Sequence, residues 1–88
     1  MTRKHTFTVE VEIRESEDET DATATLRIAG ASVASHGHAQ RNPDDPEMPE
    51  IGEELAVARA LLALAKELND KVDEGIAAFE GRPIHIRL

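Results

Sequence analysis

From about Pro49 to Phe79 the chain follows a helical pattern, in a protein of only 88 residues. A helix of about 30 residues is about 45 Å long. A nine-residue strand spans only about 30 Å. Any sheet this chain can supply is therefore shorter than the helix that must cover it. Either the helix overhangs its sheet or it breaks near Asn69-Asp70. Pro49 suits the first helical position, Glu50, Glu53 and Glu54 suit the positive end of the helix dipole, and Gly81 is a natural stop. The apolar stripe reads Ile51, Leu55, Ala58, Leu62, Ala65, widened by Leu61, Leu64 and Leu68 and continued by Val72, Ile76 and Phe79. It is expected to face the sheet and, where it overhangs, to need a second apolar surface. A symmetric second copy supplies one. Leu61, Leu64, Leu68, Val72, Ile76 and Phe79 are the expected core and dimer residues of the helix.

The sheet is legible upstream. Residues 6–14 alternate, with Phe7, Val9, Val11 and Ile13 on one face and Thr6, Thr8, Glu10, Glu12 and Arg14 on the other. Period two with β-branched residues predicts a half-buried strand. Alternation resumes with Ala22, Ala24, Leu26 and Ile28 inward and Thr23, Thr25 and Arg27 outward. Gly30-Ala31 fits a two-residue type II′ hairpin with glycine first. The third strand then starts near Ser32 and pairs Ile28 with Val33, Leu26 with Ser35, Ala24 with Gly37 and Ala22 with Ala39. Its inward face of Val33, Ser35, Gly37 and Ala39 is small enough to let a helix lie close. Residues 42–49 form a proline-rich connector, and Arg82–Leu88 alternates again as a possible short C-terminal strand, on this sheet or on a partner's. The expectation is a single α+β domain over residues 1–88, ordered β-β-β-α, in two layers.

Composition narrows the function. Hydrophobic residues make up 40% of the chain, enough for a compact core, and there is no cysteine. Disulfides, thiolate metal sites and a cysteine nucleophile are thereby excluded. No apolar run approaches the roughly 20 residues that span a bilayer, and no signal peptide is visible, so the expected location is the cytoplasm. The net charge of -8 opposes nonspecific phosphate binding, and the two aromatics, Phe7 and Phe79, both fall on apolar faces rather than on stacking platforms.

Few residues suggest chemistry. His36 and His38 share the outward face of the third strand, with Thr25 and Thr23 opposite in the register above. A metal would need a third ligand, and Glu10 or Glu12 lies around 10 Å away. Two exposed histidines on a polar face is the plainer reading. The acidic run 15–21 lacks the spacing of a calcium loop and reads as a charged hairpin that discourages edge aggregation. No serine sits in a nucleophile elbow and no glycine-rich phosphate loop occurs, so no catalytic residue, cofactor or small-molecule substrate is expected. Arg14, Arg27, His36, His38 and Arg41 are the positive groups of the outward face and its edges, and so the candidate contacts to RNA or another partner.

Arg41-Asn42-Pro43-Asp44-Asp45 followed by the helix opening Pro49–Leu61, PEIGEELAVARAL, resembles a family of small actinobacterial proteins. That family is catalogued only as a domain of unknown function with a fold like the double-stranded-RNA-binding domain. The resemblance covers nearly the whole chain up to about residue 80. It implies three strands and a long helix in two layers, and a homodimer. It also implies a fold similar to ribosome hibernation-promoting factors, and hence a non-catalytic, stress- or dormancy-associated role at the ribosome or with a protein partner. An RNA-binding module using the outward face is the alternative, and a metal-dependent or hydrolytic enzyme a remote third. Hibernation factors present basic surfaces to phosphate, whereas this helix opens with Glu50, Glu53 and Glu54. Gly52 is expected to permit close helix–sheet approach, and Asn42-Pro43 to set the connector's turn.

Overall fold

The computed structural model describes residues 2–28, 30–42, 44 and 49–80, with side chains for helix residues 50–74. Strands β1 (Val9–Glu15), β2 (Glu19–Ile28) and β3 (Ala31–Gln40) form an antiparallel sheet in the order β1-β2-β3, followed by helix α1 (Pro49–Glu80). This is the expected α+β arrangement. The possible C-terminal strand at 82–88 lies outside the described residues.

β1 and β2 are joined by a tight acidic turn. Ser16 N–H donates to the Glu19 carbonyl at 2.9 Å. Glu15 and Glu19, expected in the loop, instead end and begin the flanking strands. Arg41, just past β3, pins this turn: its backbone N–H donates to the Asp18 carbonyl at 2.8 Å, and Nη2 donates to Asp18 Oδ1 at 2.7 Å. Asn42 Oδ1 accepts from Asp44 N–H at 3.1 Å, an Asx turn that opens the connector.

The β2–β3 register differs from expectation by two residues. Ile28 pairs with Ala31, Leu26 with Val33, Ala24 with Ser35 and Ala22 with Gly37. The loop is therefore residues 29 and 30, with Gly30 second rather than first, at φ +79. Glycine alone adopts that φ without strain, and it serves either loop position, which is why sequence could not choose. A two-residue shift preserves parity, so the inward face is as expected.

α1 is unbroken from Pro49 to Glu80, through Asn69-Asp70. Its 32 residues rise about 48 Å, against about 33 Å for a ten-residue strand. It starts beside the acidic turn, where Gly52 lies next to Thr20, and overhangs the far end of the sheet by about 15 Å.

The core contains Ala22, Ala24, Leu26, Val33 and Ala39 from the sheet and Ala56, Ala60 and Leu64 from the helix. The helix ridge against the sheet is thus Gly52, Ala56, Ala60 and Leu64, not the predicted Ile51-Leu55-Ala58-Leu62 stripe. Ile51, Leu55 and Leu62 are 54%, 41% and 55% exposed. The cause is Gly37. A Cβ there would overlap the Ala56 carbonyl oxygen and the Ala60 amide nitrogen. With helix backbone resting on strand backbone, only Gly or Ala fits between them, and the larger side chains rotate away. Gly52, expected to make this approach, is less tight: a Cβ would meet only the Thr20 hydroxyl, at 3.3 Å. Of the predicted helix residues, Leu64 is buried and Leu68 packs on the core, while Leu61 and Val72 are exposed. The side chains of Ile76 and Phe79 lie outside those described.

β1 departs most from expectation. Val9, Val11 and Ile13 pair with Leu26, Ala24 and Ala22, so they share the helix-bearing face. Yet they are 39%, 37% and 39% exposed, and Phe7, which precedes the strand, is 58% exposed. Close contact over β2 and β3 holds the helix to that side of the sheet, and β1 is left uncovered.

Candidate functional site

Two surfaces compete for a functional reading: the outward polar face of the sheet and the uncovered apolar strip of β1.

On the outward face, cross-strand register sets the neighbours. His36 pairs with Thr23 and His38 with Asp21, two residues from the Thr25 and Thr23 expected. Thr23 Oγ1 and His36 Nδ1 are hydrogen-bonded at 3.1 Å. His38 Nδ1 donates to Asp21 Oδ1 at 2.7 Å, since an ionised carboxylate can only accept. Arg14 Nε donates to Glu12 Oε1 at 3.2 Å, largely in solvent. Arg41 is committed to Asp18. Of the five expected partner contacts, three therefore bond to a neighbouring acid. Arg27 is exposed at the opposite end of β2. The structure does not assemble these residues into one positive patch. Among the described residues, no group of three or more His, Cys, Asp and Glu is placed to hold a metal ion.

The second surface runs along β1. A side-chain hydrogen bond ties the helix to β3, and a pair of carboxylates meets beside the end of β1. Arg59 Nη1 donates to the His38 carbonyl at 2.5 Å, on the β3 side. Glu53 meets Glu15, the last residue of β1. Val57 and Leu61 follow Glu53 by one and two turns on the same flank. Val57 packs against the core, and Leu61, like Val9, Val11 and Ile13, is exposed. Glu53's carboxyl titrates above its ordinary range, first through the hydrogen bond with Glu15, then through repulsion between the two charges. Glu53 and Glu15 place acid at the turn end of β1. β1 also pairs only with β2 among the described residues, so its other edge presents backbone donors and acceptors.

The sequence pattern revealed the apolar face of β1 but not its exposure. The signal was present in the small inward residues of β2 and β3, which draw the helix toward themselves.

Comparison with known proteins follows the same architecture. A family model described as Rv2632c-like matches residues 5–85. The chain belongs to the Rv2632c-like family. A crystal structure of Rv2632c superposes with a TM-score of 0.85 at 35% identity, covering 93% of this chain and 98% of that one. The uncharacterized protein Mb1767 of Mycobacterium bovis is 39% identical over 80 residues, which is 91% of this chain and 85% of the relative. Rv2632c of Mycobacterium tuberculosis is 37% identical over 59 residues, 67% of this chain and 63% of the relative. These relatives are named as uncharacterized, so membership brings a fold and no activity. The likeness to RNA-binding domains and hibernation factors is not part of what these matches show. No helix among the described residues is long and apolar enough to cross a membrane.

Proposed function

We propose that this Rv2632c-like protein is a non-catalytic protein-binding module, and that its working surface is the exposed apolar face of β1. The observation that carries this reading is the exposure of Val9, Val11 and Ile13 on the sheet face that elsewhere forms the core. A row of β-branched side chains beside a strand edge that no described residue pairs suits an extended segment added as a further strand. Backbone hydrogen bonds supply affinity in that mode, and alternate side chains supply selectivity. Charge defines the partner further. Glu10 and Glu12 line the other face of β1, and Glu15, Glu17, Asp18 and Glu19 crowd its end. The favoured partner is a segment alternating apolar and basic residues.

RNA is the weaker reading. Arg14, His38 and Arg41 already face Glu12, Asp21 and Asp18, so phosphate would have to displace a carboxylate at each. A ribosomal or stress-linked setting rests on the fold resemblance alone; there, this surface would meet a ribosomal protein rather than RNA phosphate.

The test is titration with a synthetic alternating valine–lysine peptide, followed by amide exchange of β1, beside a short RNA duplex at low salt. Peptide-dependent protection of β1 that disappears in Val11→Glu supports the reading. Duplex binding that weakens steeply with salt and is lost in Arg27→Glu, with β1 unprotected, overturns it.

A further inference from the structure

β1 presents its outer edge in a fixed pattern. Ser16 N–H donates to the Glu19 carbonyl at 2.9 Å, so these two residues form a hydrogen-bonded pair at the turn end of the β1–β2 ladder. Along an antiparallel ladder such pairs alternate with pairs that share no bond. The register runs without a bulge from Glu15 opposite Thr20 to Val9 opposite Leu26, so Arg14, Glu12 and Glu10 are the residues that bond to β2. Val9, Val11 and Ile13 therefore turn their amides and carbonyls to the other edge, which no described residue pairs. The side chains of the exposed apolar row and the available backbone groups thus belong to the same three residues. On the outward face between and beyond them stand Glu10, Glu12 and Arg14, two acids followed by a base, all exposed.

We propose that this edge selects a strand of one direction and one charge order: antiparallel to β1, and reading acidic, apolar, basic, apolar, basic, apolar from its N-terminus. Resting on the β1 reading, this specifies the register, direction and charge order of the same partner. In antiparallel addition Val9, Val11 and Ile13 each exchange both backbone bonds with one partner residue, whose side chain falls on the apolar face beside theirs. The intervening partner residues fall opposite Glu10, Glu12 and Arg14 in the unbonded pairs, where Cα atoms approach to about 4.5 Å. Opposite charges directly across a ladder attract and like charges repel, so basic residues suit Glu10 and Glu12 and an acidic one suits Arg14. Arg14 spends one of its five donors on Glu12 and keeps others for a partner's carboxylate. The sheet being extended is antiparallel throughout, and parallel addition pairs slightly less stably.

Amide exchange and titration of the full chain by NMR test this with two synthetic peptides, Asp-Val-Lys-Val-Lys-Val and its charge-inverted form Lys-Val-Glu-Val-Glu-Val. In the free chain the Val9, Val11 and Ile13 amides should exchange faster than those of Glu10, Glu12 and Arg14. The first peptide should slow the Val9, Val11 and Ile13 amides and bind roughly tenfold more tightly than the inverted one. Glu10→Lys, Glu12→Lys and Arg14→Glu together, all on the exposed outward face, should reverse that preference although the chain stays acidic overall. A nitroxide on the N-terminus of the first peptide should broaden Ile13 and Arg14 most. Strongest broadening at Val9 instead overturns the direction. Equal protection by both peptides, or a preference that the triple variant does not reverse, overturns the charge order and leaves the β1 reading standing. Protection of β1 by neither peptide removes both. Val9, Val11 and Ile13 amides already slow in the free chain mean that the chain itself or a second copy holds the edge, and this too overturns the proposal.

Discussion

Gly37→Ala adds one methyl group where the structure has no room for it. The new Cβ would overlap the carbonyl oxygen of Ala56 and the amide nitrogen of Ala60. Both are backbone atoms of a helix, so no rotamer change relieves the contact. The helix must lift or slide, and Ala56, Ala60 and Leu64 lose part of their burial. Overpacking of a close-fitted core costs about 1–3 kcal/mol, and a backbone clash belongs at the upper end. Against this, alanine restricts the unfolded chain and suits a strand interior better than glycine, which offsets about 0.5–1 kcal/mol. The net expectation is a loss of about 2 kcal/mol. A chain of this size has roughly 4–13 kcal/mol in all. At about 4–8 °C per kcal/mol, Tm should fall by about 8–16 °C. Thermal unfolding followed by circular dichroism, backed by urea midpoints, reads this directly. A variant as stable as the parent would refute the reasoning that backbone-on-backbone contact at Gly37 positions the helix.

Gly52→Ala should do the opposite. Its Cβ meets only the rotatable Thr20 hydroxyl, and helix propensity favours alanine by up to about 1 kcal/mol, so Tm should rise by a few degrees in the same assay. Glu53 gives a pH signature. Its folded pKa lies above the ordinary 4.5, so between those values the folded state holds more protons than the unfolded one. Stability is then greatest below that window and declines as pH rises through it; Glu53→Gln should flatten this decline, and an unchanged profile in urea titrations would contradict the Glu15 contact. Arg41→Ala removes a half-exposed ion pair to Asp18 and should cost about 1 kcal/mol, whereas Arg14→Ala, whose pair with Glu12 is largely in solvent, should stay within about 0.5 kcal/mol by urea unfolding.

Strand parity, element order and helix length were readable because each follows from a period: two along β1, β2 and β3, and 3.6 along α1. What period cannot supply is which of two apolar rows on one helix meets the sheet. Ile51, Leu55 and Leu62 are the larger residues, and hydrophobicity alone favours burying them. The sheet decides otherwise, because Ala22, Ala24 and Gly37 bring the backbones too close for a leucine. Three-dimensional closeness at one glycine thus reorients 32 residues of helix and exposes both β1 and the second row. The surroundings of the candidate contacts were illegible for a related reason. His36, His38, Arg14 and Arg41 are visible in sequence, but the neighbours of His36 and His38, Thr23 and Asp21, depend on a register that Gly30 left open by two residues.

The orientation of α1 on its sheet carries the whole account, and methyl-resolved NOE spectroscopy measures it most directly. Strong NOEs from the Ala56 and Ala60 methyls to the Gly37 α-protons, with none from the Leu55 and Leu62 methyls to β2 or β3, are predicted. Leu55 and Leu62 methyls in contact with Ala22, Ala24 or Gly37 would contradict it.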